Sequence, residues 1–320
     1  MKFFHFILAC LLGGLLLAGC GGKAELTPTV VEPPVPTSTP LLFPTSTLAV
    51  PTSPPLPTQP LTSPTLSLPA LTPTPADNQR FAVILVKPEE RLAVHEGPGL
   101  TYRVVGTLPY DATDVRITGR QAQADNITWV EIQRISDETL KGWVNARFLT
   151  QYVPTEAFCN PETENLIRQF EQAILQADGR LLASLVSPVH GVDIWLWRTG
   201  RAINFDAAHA RWVFDSTYVH NWGVHPASGQ ETRGSFQEEV LPALRDGIAT
   251  THEVRCDDLT VPGLAKEFVW PAHYRNIHAY KIYKPATPGV DLDWRVWLVG
   301  IEYVDNKPYL FALIHYQWEP

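Results

Sequence analysis

Eight of the chain's ten histidines fall within residues 154–320, and two pairs of them invite a chemical reading. His220 and His225 bracket Asn221-Trp222-Gly223-Val224, and His273 and His278 bracket Tyr274-Arg275-Asn276-Ile277. Zinc ligation from a helix needs two histidines one turn apart with a carboxylate between them, as in H-E-x-x-H. A spacing of five puts neither pair on one helical face, and neither has a carboxylate at a ligand interval, so no metal set is assigned. Asp257-Asp258 has the charge to hold a cation, but adjacent acids after a strand equally make a solvated turn. The chain has no G-x-S-x-G elbow for a serine nucleophile and no glycine-rich phosphate loop. No catalytic residue and no cofactor follows from these patterns. A hydrolase using His220 with Asp215 is the enzymatic alternative.

Tryptophan points to binding instead. Trp195, Trp197, Trp212, Trp222, Trp270, Trp294, Trp297 and Trp318 all lie in the same part of the chain. An indole-lined concavity would suit a sugar face or an apolar ligand. Its rim is placed at Tyr218–Pro226, with Trp222 as the platform and His220 and His225 as polar contacts. The alternative is a tryptophan-rich core.

The elements that must carry these residues sit behind an unusual leader. Lys2 is followed by an apolar run from Phe3 to Ala18 that is too short to span hydrocarbon, which takes about 20 residues. One cation, an apolar middle and a small-residue exit make a secretory leader over residues 1–19. The exit Leu17-Ala18-Gly19-Cys20 resembles the lipobox of bacterial lipoproteins. That resemblance implies a diacylglycerol thioether on Cys20, cleavage before it, and anchoring to a cell or outer membrane on the extracytoplasmic side. An ordinary signal peptide with Cys20 incidental is the alternative. Two or three acyl chains, at about 0.8 kcal/mol per buried methylene, anchor stably without a spanning helix.

Residues 20–78 form the linker. About half of the chain's 29 prolines fall between Thr27 and Ala76, with Thr and Ser in most gaps and Glu32 as the only charge. Proline removes amide donors and fixes φ, so a disordered, extended spacer is expected, reaching at most roughly 150 Å. The remaining chain is long enough for two cores. Its acidic balance, in a chain of net charge −8, argues against nucleic acid as a partner.

Residues 79–153 read as five or six short strands, including Leu92 with Val94, Val104 with Val105, and Val115 with Ile117, then strands opening at Trp129 and Lys141. A small antiparallel β-barrel is expected. The segment resembles the bacterial SH3-like domain at Leu92, Val94, Gly97, Pro98, Gly99, Tyr102, Val105, Gly106 and Leu108. The likeness continues at Val115, Ile117, Gly119, Trp129, Ile132, Gly142, Trp143, Val144, Phe148 and Leu149. Ala93, His95 and Glu96 depart from it, where the family often has Asn, Arg and Ser. The resemblance implies a module that targets peptidoglycan or an envelope peptide through an aromatic groove. Tyr102, Tyr110 and Trp129 are the candidate groove aromatics; the alternative for each is a place in the core.

Residues 154–320 read as α+β. Asn160-Pro161-Glu162 is a helix start, and Gly179 is taken as that helix's exit. A short helix precedes Pro188, and a strand runs through Val192–Trp197, with Trp195 and Trp197 sharing one face. Ser235 and Glu238 form a capping box for a further helix. Two long apolar strands flank a turn at Asp305-Asn306 and belong at the centre of a curved antiparallel sheet. Helices first and a long hairpin last are similar to cone-shaped domains of the nuclear transport factor 2-like type. The ending also looks like the tail of uncharacterised bacterial lipoprotein domains. With Cys10 removed and Cys20 acylated, Cys159 and Cys256 are left for a disulfide in an exported domain; two buried thiols are the alternative.

The expectation is a multidomain, non-enzymatic surface lipoprotein. It binds wall or peptide through the barrel and an unidentified ligand or partner through the α+β domain. A structural subunit of an envelope assembly is a third reading.

Overall fold

The computed structural model describes residues 79–265 and 269–319; Cys20 and the proline-rich segment lie outside them. Seven strands build the first sheet: β1 Phe81–Val83, β2 Arg91–His95, β3 Val104–Pro109, β4 Val115–Ala124, β5 Ile127–Arg134, β6 Lys141–Asn145 and β7 Leu149–Gln151. They run antiparallel in the order β3-β2-β6-β5-β4-β1-β7. The turn from β4 to β5 is the two-residue kind, with Asp125 and Asn126 at φ of 54° and 60°, the residue types that tolerate this conformation in a hairpin. The sheet curls because β4 bulges between Ile117 and Gln121, and bulges bend a strand and raise its twist. Its core gathers Leu92, Val94, Leu108, Val115, Val130, Ile132, Val144 and Leu149. Val104 and Val105 are exposed, so β3 contributes Leu108 to the core rather than the valine pair.

The helices come next. A short α1 (Thr155–Phe158) leads to α2 (Pro161–Gln176) and α3 (Gly179–Leu185). Asn160 caps α2 by accepting from the Glu162 and Thr163 amides, with Pro161 in the first turn, where a missing N–H costs nothing. The exit of α2 is Ala177, left-handed at φ 51°, and not Gly179. Gly179 instead opens α3 behind the cap Asp178. A Cβ there would stand 2.1 Å from the Arg211 carbonyl oxygen, so this glycine serves close backbone approach.

The second sheet is built from β8 (Val192–Trp195), β9 (Ile203–Phe205), β12 (Glu253–Cys256), β13 (His278–Lys284), β14 (Arg295–Val304) and β15 (Lys307–Gln317). Between them in sequence lie α4 (Ala207–Ala210), the separate hairpin β10 (His220–Val224) and β11 (Glu231–Gly234), and α5 (Leu241–Ile248). The six-strand order is β12-β13-β14-β15-β8-β9, antiparallel except for β15 with β8. The long hairpin β14–β15 is central as expected, closed by Asp305 and Asn306 at positive φ. Ser235 and Glu238 do form a capping box, opening a π-helical turn that runs into α5.

Both faces of this sheet are covered, which is why β14 and β15 read as continuous apolar runs rather than alternating ones. Tyr280, Trp297, Val299, Ile301 and Leu313 meet Phe158, Phe170, Ile174 and Leu244 on the helix side. Val296, Leu298, Phe311, Ile314 and Tyr316 meet Tyr274, Ile277 and Ile84 on the other. The disulfide joins Cys159 to Cys256, with Cα atoms 5.9 Å apart, and pins the start of α2 to the edge strand β12.

Ile84 comes from the first sheet's chain, so the two sheets share an apolar layer. Polar bonds reinforce it. The Leu85 amide donates to the His273 carbonyl at 2.8 Å, and Asn276 Nδ2 donates to the Val83 carbonyl at 2.8 Å. Gln151 and Asn306 bond each other twice.

Candidate functional site

The first sheet carries a groove of about 420 Å³. It is built from the loop between β2 and β3, the strand ends beneath it, and the 3₁₀ turn Ala146–Phe148. The loop is stiff for reasons its sequence makes plain. A Cβ on Gly97 would lie 2.4 Å from Tyr102 Cε1, so the tyrosine ring rests on the loop's own backbone only because that position is glycine. Gly99 takes φ 148°, and the next amide, of Leu100, donates to Asp125 Oδ2 at 2.9 Å. Asp125 belongs to the β4–β5 turn, so two loops are tied together and Leu100 is left 63% exposed.

His95 lies under this loop. Its Nδ1 is 2.9 Å from the Tyr102 carbonyl, an acceptor only, so Nδ1 carries the proton. The ring stands edge-on to Trp129 at 5.2 Å and is 8% exposed. Across the β5–β6 register Trp129 faces Asn145, whose Oδ1 accepts from the Arg147 amide at 2.9 Å. Leu92, Leu100 and Phe148 supply the apolar lining, beside the exposed Glu90 and Arg91.

Of the aromatics singled out from sequence, Trp129 does line the groove, but as a buried wall whose Nε1 donates to the Ala124 carbonyl. Tyr102 is 48% exposed and shapes the loop without lining the groove. Tyr110 packs against the sheet's core. Nothing in the sequence marks Leu100 or Asn145, while Phe148 is a position of the SH3-like pattern and not by itself a groove residue. The available signal was the departure from the family pattern at Ala93 and His95, both of which line the groove.

The second proposed site does not assemble. Trp222 is fully buried in the helix-side core, its Nε1 donating to the Gly234 carbonyl at 3.0 Å, so it cannot be a platform. His220 packs against Phe205, Tyr218 and Trp222, burial holds its pKa below the ordinary range, and no hydrogen bond joins it to Asp215 among the described residues. His225 caps its own turn, Nδ1 accepting from the Ala227 and Ser228 amides. The two histidines occupy opposite ends of the hairpin. The indoles are likewise divided: Trp197, Trp222 and Trp297 go to one core, Trp195, Trp270 and Trp294 to the other. The strand ends at Trp195, so Trp195 and Trp197 do not share a face.

The acidic pair is spent on structure. Asp257 bonds His278 Nδ1 at 3.0 Å. Asp258 pairs with the buried Lys281; burial raises its pKa, but hydrogen bonds from Lys281 and Thr260 outweigh that and hold it at about 2. Among the described residues no cluster of three metal-ligating side chains occurs, and no helix is long and apolar enough to cross a membrane. A broader depression of about 560 Å³ runs over Arg80, Gln151, Tyr152, Glu156 and Asn306, where Gln151 and Asn306 already bond each other.

No curated protein matches the chain. Among solved structures, a Xanthomonas campestris protein described as a calcium/calmodulin dependent protein kinase II association domain aligns with 52% of this chain and 94% of its own, at 12% identity. Its TM-score of 0.21 is too low to define a shared fold. Residues 90–150 match the family model of the bacterial SH3 domain, a span that holds every groove residue except Leu85 and Val86.

Proposed function

We propose that this chain is an exported envelope protein, acylated at Cys20, that binds cell-wall peptide or an envelope peptide through the groove of its SH3-like sheet and carries out no reaction. The observation that carries the reading is the groove itself. A stiff loop presents Leu100 beside His95, Asn145 and Phe148, within the span that matches the bacterial SH3 domain. Concave, mostly apolar sites with a few placed polar groups are how proteins hold small segments of a ligand. The proline-rich composition of residues 27–76 suits a spacer, and the Leu17–Cys20 motif suits an anchor.

The test is co-sedimentation of residues 79–320 with purified peptidoglycan, wild type against Leu100→Asp. The fragment is kept whole because Ile84 belongs to the second sheet's core, and a cut near residue 153 would expose it. Pelleting that Leu100→Asp abolishes supports the groove; pelleting that it leaves intact refutes it. Labelled palmitate incorporated by the full chain and not by Cys20→Ala tests the anchor.

A further inference from the structure

We propose that His95 is the specificity-determining residue of the groove and that it accepts one amide N–H of an extended peptide; the inference rests on the groove being the binding site. The Tyr102 carbonyl fixes the proton on Nδ1, so the neutral ring presents Nε2 as a lone-pair acceptor. Among the described residues Nε2 has no hydrogen-bond partner, although the ring is 8% exposed and lines the groove. Nε2 is not sealed from solvent, so water reaches it through the groove, and an amide N–H that replaces that water makes its bond in a drier, less polar setting.

Asn145 supplies the complementary half. Its Oδ1 is committed to the Arg147 amide, which leaves Nδ2 as a donor. His95 and Asn145 flank the same indole, one by ring contact and one by strand register. An acceptor and a donor beside one apolar wall match the partial charges of a peptide unit, N–H toward His95 and C=O toward Asn145. Leu92, Leu100 and Phe148 then take the adjoining apolar side chain. Neighbouring sugar hydroxyls, each donor and acceptor, would also span the pair; the apolar lining of Leu92, Leu100 and Phe148 favours a peptide with a side chain to seat, and stripped sacculi separate the two.

The experiment measures binding of residues 79–320 to a synthetic wall stem peptide and to a set of analogues N-methylated at one amide each. Intact sacculi and sacculi stripped of stem peptides by amidase are run beside them. His95→Asn keeps a side-chain N–H for the Tyr102 carbonyl and loses the Nε2 acceptor; His95→Gln places an oxygen near the Nε2 position. The expected result is that one N-methylation weakens wild type about tenfold and leaves His95→Asn unaffected, while His95→Gln retains sensitivity. His95→Asn is itself about tenfold weaker on the parent peptide. Equal weakening of both proteins by every analogue overturns the inference, as does His95→Asn binding like wild type, or equal pelleting with stripped sacculi. If Leu100→Asp fails to bind while His95 changes do nothing, the groove stands and the amide reading falls. If Leu100→Asp binds normally, or wild type binds neither peptide nor sacculi, both fall. Should His95→Asn not melt cooperatively, His95→Leu, which likewise lacks the acceptor, takes its place in the same comparison.

Discussion

His190 and Glu302 form a buried pair between the two sheets. The histidine follows α3 and its Nδ1 lies 2.8 and 2.9 Å from the two carboxylate oxygens of Glu302 in β14. Its Nε2 is 2.9 Å from the Arg147 carbonyl, in the 3₁₀ turn between β6 and β7 of the first sheet. Thr150 of β7 donates to the same carboxylate at 3.0 Å. Both ring nitrogens therefore meet acceptors, and the carboxylate has donors from each side of the seam.

Removing one member leaves the other buried without its partner, which typically costs about 3–5 kcal/mol. Glu302→Leu and His190→Phe should each lower the urea midpoint by that order. The double variant should recover only part of the loss, because neither His190 nor Glu302 is then left facing an absent partner, while the Arg147 carbonyl and the Thr150 hydroxyl have still lost their bonds. Additive losses in the double-mutant cycle would show that the two residues do not act as a pair. The first and second sheets should also unfold in one transition in wild type, since Ile84 and this pair belong to both.

A second histidine at the seam makes a pH-dependent contribution. His278 Nε2 meets the Val153 carbonyl at 3.0 Å and its ring stacks on Phe158. Burial works against its charge, but the hydrogen bond and charge of Asp257, with the Val153 carbonyl, outweigh it and raise its pKa. A raised folded value means the folded chain holds the proton more tightly. The stabilisation is fully present below the unfolded value of about 6.5 and is lost as pH rises through the folded one. His315, buried and pushed down to about 4, has the opposite sign, so the whole-protein profile mixes both. The diagnostic is the difference in stability between wild type and Asp257→Asn, measured from pH 5.5 to 8.5. It should shrink as pH rises; a difference that stays flat would remove His278 from the account.

Reduction of the Cys159–Cys256 bridge frees a loop of sequence separation 97. In the loop-entropy model this costs up to about 4–5 kcal/mol. Cys159→Ser should therefore melt well below wild type, and added reductant should bring wild type to the same midpoint while leaving the variant unchanged. An unchanged wild-type midpoint in reductant would mean that the unfolded chain is not restrained by the bridge.

Where sequence could be read ahead of structure, the determinants were local. Asn160-Pro161, Ser235 with Glu238, and Asp305-Asn306 each act within four residues, and each did what its chemistry requires. Gly179 misled because its role is a contact with Arg211, thirty-two positions away, that no local rule encodes. Of the groove lining, Trp129 is legible and its polar neighbours are not, for the same reason. His95, Trp129 and Asn145 meet only through the registers of β2, β5 and β6, and a single sequence does not state register. Trp222 between His220 and His225 has the composition of a rim, an indole flanked by polar rings, but composition does not state which way a strand faces. The fold spends these residues on a hairpin with its indole turned inward.

Gly97 offers the sharpest test of how the groove is held. Gly97→Ala would drive a methyl into the Tyr102 ring, 2.4 Å from Cε1, and the loop cannot yield freely because Leu100 is tied to Asp125 and Glu96 to Arg103. Overpacking of this kind costs about 1–3 kcal/mol, and it also shifts Leu100 away from the groove. The melting temperature of Gly97→Ala should fall and its peptidoglycan pelleting should weaken with it. Tyr102→Ala alone removes an exposed ring and should cost little. Combined with Gly97→Ala it should restore the melting temperature, since the methyl then fills space the ring vacated. Loss that persists in the double variant would place the strain in the backbone at residue 97 rather than in its contact with Tyr102.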